Sequence, residues 1–144
     1  MHTEKEIYSL FSNVASSLGY SEVHGRIIAA LLVVRKPLSL DVLRRKIDYS
    51  ASSVSLSLDF LEVVGVIRKI KKPTDKKLYI ELQGDLLDCL RKAILFKAQK
   101  NIDITLEEFK KCNSVETKKA VKILENEILR LQRYINLLSK VKLP

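Results

Sequence analysis

Apolar positions recur with a helical period over most of the chain and with a period of two in one short stretch. From Thr3, a capping-box pattern with Glu6 opens a helix whose Ile7, Leu10, Phe11, Val14 and Leu18 line one face. Gly19 closes it. Ser21 is placed to cap a second helix, apolar nearly all round and stopped at Lys36-Pro37, which predicts a central core helix. A short helix from Ser39 to about Lys46 presents Leu40, Leu43 and Ile47. The turn Ile47-Asp48-Tyr49-Ser50 follows, then a helix from Ser50 to Val64 that buries Val54, Leu58 and Leu61. Two helices joined by so short a turn make a helix-turn-helix, and Asp48 stands where such a turn needs a left-handed residue.

After Gly65 the period drops to two. Residues 66–72 are a β-prone run, Pro73-Thr74-Asp75 is turn chemistry, and Leu78, Ile80 and Leu82 alternate with Tyr79 and Glu81. A hairpin directly after a helix-turn-helix predicts a winged helix: a mainly α chain with an α+β winged helix-turn-helix between terminal helices. In the last third, Leu86, Leu87, Leu90, Ile94 and Leu95 mark a helix expected to end near Asn101, and Thr105-Leu106-Glu107-Glu108 reads as a new capping box. Val121, Leu124, Ile128, Leu131, Ile135 and Leu138 then step by three and four as a heptad seam, widened by Ile123, Leu129, Leu137 and Val141, which predicts a helix inside a homodimerisation bundle. The expected division is an N-terminal dimerisation helix over 1–18, a DNA-binding winged helix over 19–83 and a C-terminal dimerisation region over 84–144.

Charge adds a partner to this outline. The 144 residues carry 26 Lys and Arg against 17 Asp and Glu, a net charge of +9 that favours an anionic partner such as nucleic acid. Arg44, Arg45 and Lys46 flank the helix-turn-helix turn, and Arg68, Lys69, Lys71, Lys72, Lys76 and Lys77 run through the hairpin with Asp75 the only acid among them. These are the expected phosphate contacts on double-stranded DNA, with the wing tip suited to the minor groove. The helix expected to enter the major groove offers Ser50, Ser52, Ser53, Leu56 and Ser57. It has no Arg, Lys, Asn or Gln in its first turns to read a base edge with two bonds, so backbone contacts and DNA shape are expected to dominate. The plainer alternative is that Ser50 only caps and the other serines are solvated.

The stretch GYSEVHGRIIAALL from Gly19 to Leu32, PLSLDVL from Pro37 to Leu43, Ser50, Ser53-Val54-Ser55, Leu58, Leu61, Gly65-Val66-Ile67-Arg68 and the wing residues Pro73-Thr74-Asp75-Lys76-Lys77 together resemble the MarR superfamily, especially its GbsR-type branch. The resemblance implies a helical dimer platform built from the terminal helices, two DNA-binding lobes, repression of a nearby operon, and room for a small-molecule effector between platform and lobes. Tyr8, Phe11, Phe96 and Phe109 are candidate linings of such a pocket, although aromatics at helical spacing more often serve as core. Two departures stand out: Ala51-Ser52 replaces the Lys, Gly or Asn usual at the start of the recognition helix, and Asp59 occupies a position often basic or amide.

Other classes fit less well. No nucleophile–base, paired-carboxylate or phosphate-cradling motif appears, so no catalytic residue is nominated, and no metal site or cofactor is expected. His24 is expected to cap or pack. Cys89 reads as a core or boundary thiol and Cys112 as more exposed, without disulfide or metal spacing. The eight-residue apolar run from Ile27 to Val34 is too short for a membrane span, and the N-terminus lacks secretory-signal character, so a cytoplasmic, nucleoid-associated protein is expected. A winged helix that docks proteins, or coats DNA without a specific operator, stays open as the alternative.

Overall fold

Five helices begin where a hydroxyl replaces the missing backbone acceptor of the first turn. Thr3 accepts from the Glu6 amide at 3.2 Å, Ser21 from His24 at 3.2 Å, Ser39 from Val42 at 3.3 Å, Ser50 from Ser53 at 3.2 Å and Ser114 from Thr117 at 3.3 Å. In the computed structural model, which describes residues 1–144, the order is α1 (Glu4–Ser17), α2 (Glu22–Val34), β1 (Leu38–Ser39), α3 (Leu40–Ile47), α4 (Ala51–Val63), β2 (Ile67–Lys71), β3 (Leu78–Leu82), α5 (Leu86–Lys110) and α6 (Val115–Leu138). The chain forms two compact units, Met1–Ala93 and Ile94–Pro144. Helix α5 starts in the first and ends in the second.

The first unit is a winged helix. Ile27, Ile28 and Ala30 of α2 are wholly buried with Leu43, Ile47, Val54, Leu61, Val66 and Ile80. Asp48 takes the left-handed conformation at φ 59° that lets α3 turn into α4. Strands β2 and β3 pair antiparallel from Ile67↔Leu82 to Lys71↔Leu78. The two-residue β1 adds to the far side of β3 through Leu38↔Ile80 and Ser39↔Tyr79, giving the order β1-β3-β2. So short a strand shows no periodicity of its own; only the chain's return at β3 creates it.

Helix α1 buries a different face from the one its large apolar residues predict. Tyr8, Ser12 and Ala15 face inward, while Ile7, Leu10, Val14 and Leu18 are 51%, 55%, 62% and 44% exposed. The reason is a close helix crossing: a Cβ added at Gly25 would lie 2.6 Å from Ser12 Cβ and 2.7 Å from Ser12 Cα, an approach only small residues permit. The buried Ser12 hydroxyl is satisfied by donating to Ser9 O at 2.8 Å.

Helix α5 also departs from expectation, for it continues unbroken through Asn101 and Thr105 to Lys110. No Gly or Pro interrupts the segment, and a Thr-x-x-Glu pattern caps only if the Thr leaves helical geometry. Gln99 donates to Asp103 at 2.8 Å across the expected break. The interruption comes instead just before Ser114, which caps α6. Within the second unit Ile102 and Ile135 are buried, Val121, Ile128 and Leu138 half-buried, and Leu124 and Leu131 exposed.

Candidate nucleic-acid interface

Helix α4 presents two opposed rows. Val54, Ser57, Leu58 and Leu61, spaced i, i+3, i+4, i+7, are buried, whereas Ser52, Ser55, Leu56 and Asp59 at the same spacing are exposed. Ser57 therefore leaves the expected groove face, because at 3.6 residues per turn it lies about 60° from Val54 and about 40° from Leu61, on the core side. Ser55 takes its place, a substitution the same spacing rule could have found. Ser50 is committed to its cap, with its hydroxyl 3.2 Å from Ser52 Oγ and donating to Ser53 Oγ at 3.0 Å. Leu56 stands out at 73% exposed.

The expected phosphate contacts divide into engaged and free cations. Arg44 and Arg45 both donate to Asp41, each at 2.9 Å, and this carboxyl is held below its ordinary range, chiefly by the Arg44 bond. Lys46 reaches Glu4 of α1 at 3.1 Å, on a carboxylate that also accepts from the buried Tyr8 hydroxyl. Arg68 bonds the cross-strand Glu81, its Nε at 2.9 Å. Lys69 reaches Asp59 at 2.5 Å and Glu62 at 3.7 Å on α4. Alternation explains Lys69: it shares a strand face with buried Ile67, so its stem runs over the core edge before the ammonium emerges beside α4.

What remains is the wing tip. Lys71, Lys76 and Lys77 are exposed and make no ion pair, and Lys72 sits over the Tyr79 ring at 4.1 Å. Asp75, in composition only a counter-charge, is the organiser of this loop. Its carboxylate accepts from the Lys77 amide at 3.0 Å and from the Tyr79 hydroxyl at 2.9 Å, and these bonds lower its pKa, the Lys77 bond most. A cleft of about 520 Å³ between Leu40, Asp41, Arg44, Ala51, Lys77 and Leu78 separates the wing from the start of α4.

Arg26 is a supporting residue the charge reading passed over. Its guanidinium donates to Ile47 O at 3.2 Å and to Glu22 at 2.7 Å, and lies 5.2 Å from the Tyr49 ring centroid, fastening α2 to the helix-turn-helix turn. The Glu22-to-Arg26 spacing of four was its visible signal. His24 completes the α2 capping box, accepting from the Ser21 amide at 3.4 Å, and stacks on Phe60. Of the aromatics considered for a pocket, Tyr8 is core and Phe11 half-buried in the first unit; Phe96 is 40% exposed and Phe109 half-buried in the second. No helix is long and apolar enough to cross a membrane.

No family model and no curated protein matches the chain. Among solved structures, a crystal structure of a transcriptional regulator is similar over 95% of this chain and 96% of that one, with a TM-score of 0.64 at 15% sequence identity. A mutant MarR from E. coli complexed with operator DNA is similar over 88% of this chain and 85% of that one at 13% identity, but its TM-score of 0.45 is too low to bear on this chain. The first likeness shows a shared fold.

Proposed function

We propose that this chain is a transcriptional regulator of the MarR type that binds double-stranded DNA as a homodimer, with the wing as its main electrostatic anchor. The observation that carries the reading is the wing tip. Lys71, Lys72, Lys76 and Lys77 project from the end of β2 and a loop pinned by Asp75 without an ion pair, whereas Arg44 and Arg45 share the single carboxylate of Asp41 and Lys46, Arg68 and Lys69 each pair with a neighbouring carboxylate. Free cations on a fixed loop suit a phosphate backbone, and the exposed Ser52, Ser55 and Leu56 suit shallow contact with a groove.

Dimerisation is supported by two unpartnered apolar faces. One is Ile7, Leu10, Val14 and Leu18 on α1; the other is the α6 seam around Leu124 and Leu131. A second copy would cover both and set two weak readers on one duplex. A dimer seated on promoter DNA would repress by occlusion, in keeping with the GbsR-type resemblance, and would reside with the chromosome in the cytoplasm. An effector would act by preferring one spacing of the two lobes. The side chains of α4 equally favour binding set by DNA shape, without a single operator.

Fluorescence anisotropy with a labelled duplex over a salt series tests the reading. The native chain is expected to lose affinity with a slope of about −0.9 in log K per log salt for each phosphate met. Replacing Lys71, Lys72, Lys76 and Lys77 together by Gln should flatten that slope by about three to four and weaken all duplexes alike. A salt-independent isotherm would sink the DNA reading, and a monomeric mass by light scattering at micromolar concentration would sink the dimer.

A further inference from the structure

More than half of the net charge lies outside the winged helix. Residues 94–144 hold eleven of the 26 Lys and Arg but only six of the 17 Asp and Glu, and so carry five of the nine net positive charges. On α6 these cations are not scattered. At about 100° per residue, Lys118, Lys119, Lys122, Arg130 and Arg133 fall within one arc of about 120°, which also holds Asn126, half-buried Leu129 and exposed Leu137 but no carboxylate. The five cations and Asn126 are exposed. Arg130 alone has a carboxylate nearby, Glu127 at 3.7 Å, with both partners largely in solvent. The apolar seam of Val121, Leu124, Ile128, Leu131, Ile135 and Leu138 lies on the opposite side of the helix, so a partner on the seam would leave the basic arc open.

We propose that this arc of α6 is a second duplex-DNA surface, carried by the other unit of the chain from the wing, by which one assembly holds two stretches of DNA. From Lys118 to Arg133 the row spans about 22 Å at 1.5 Å per residue, the axial length of about six phosphates on one strand. Two clusters of cations, Lys118, Lys119 and Lys122 at one end and Arg130 and Arg133 beginning about 12 Å further along, with the Asn126 amide between them, suit a polyanion that extends along the helix. An anionic bilayer would instead be met by the apolar side of such a helix, and that side is partly occupied within the protein, with Ile135 buried. The inference rests on the DNA-binding reading above, since a second surface has meaning only beside the first.

The test uses the full chain and a variant with Lys118, Lys119, Lys122 and Arg133 replaced by Gln, which keeps helix propensity, its fold checked by circular dichroism. An immobilised short duplex is loaded with protein and challenged with a second, fluorescent duplex; binding to a single duplex is measured in parallel. The native chain should retain the second duplex, and the α6 variant should retain at least ten-fold less while binding a single duplex as before. Equal retention by the two overturns this inference and leaves the wing reading intact. If the wing variant binds a single duplex normally while the α6 variant loses it, the wing reading fails and the two-duplex inference falls with it. Sedimentation of the native chain but not the α6 variant with phosphatidylglycerol vesicles, at equal duplex retention, overturns the proposal in favour of a membrane.

Discussion

The Lys69 ammonium lies 2.5 Å from the Asp59 carboxylate, tying the first strand of the wing to the exposed side of helix α4. This pairing withdraws a cation from the surface that would meet DNA, and Asp59 holds Lys69 more firmly protonated than usual.

Asp59→Asn should therefore raise duplex affinity several-fold at low salt and steepen the salt slope by up to about one, because Lys69 is released and a negative charge is removed. Asp59 is largely solvent-facing, so its loss should change unfolding free energy by less than about 1 kcal/mol. Anisotropy and urea denaturation of the same variant measure the two effects.

At the wing tip, Asp75→Ala should abolish hydrogen-exchange protection of the Lys77 amide and leave the melting temperature nearly unchanged. The lowered pKa of Asp75 sets the sign of the pH effect: its stabilisation is present above the ordinary aspartate range and is lost only as pH falls through the depressed folded value. Protection at Lys77 in native protein should thus persist at mildly acid pH. Unchanged protection in the Ala variant would remove Asp75 as the organiser.

Gly25→Ala forces a methyl group into Ser12, whose backbone and side-chain carbons leave no space for it. Overpacking of this kind destabilises by about 1–3 kcal/mol. Adding Ser12→Gly should restore part of the loss, since it removes the obstructing side chain while the backbone behind it stays close. Chemical denaturation of the double variant checks the coupling.

The two serines of α4 should separate cleanly. Ser55→Gln, on the exposed row, is expected to leave stability within about 0.5 kcal/mol, whereas Ser57→Gln, on the buried row, should destabilise by more than about 1 kcal/mol. Equal melting curves for the two would contradict the rotation of the helix.

Thiol labelling offers a further check. Cys112 is exposed, while Cys89 is buried, its thiol donates to Gln83 O at 2.8 Å, and burial raises its pKa. One equivalent of Ellman's reagent should react in native buffer and two after unfolding.

The caps at Thr3, Ser21 and Ser50, the Asp48 turn and the hairpin were legible from residue order alone, because each is decided within a few residues, whereas Thr105 carries the same cap pattern and stays inside α5. A hydroxyl sits three positions before an amide it can bond, and a loop carries its own turn chemistry. Ser57 and Lys69 were legible in principle, since their faces follow from the helical and strand periods, yet their polarity argued for the surface. The sequence could not reveal which side of α1 is buried, because Gly25 and Ser12 meet only when two helices cross. Nor could it reveal that Lys46 is held by a carboxylate 42 residues away, or that β1 exists. Residue order by itself determined that the hairpin is rich in lysine. Only tertiary structure decided that Lys46, Arg68 and Lys69 are paired with carboxylates far along the chain, since ion pairing depends on distance in space and charge counts do not.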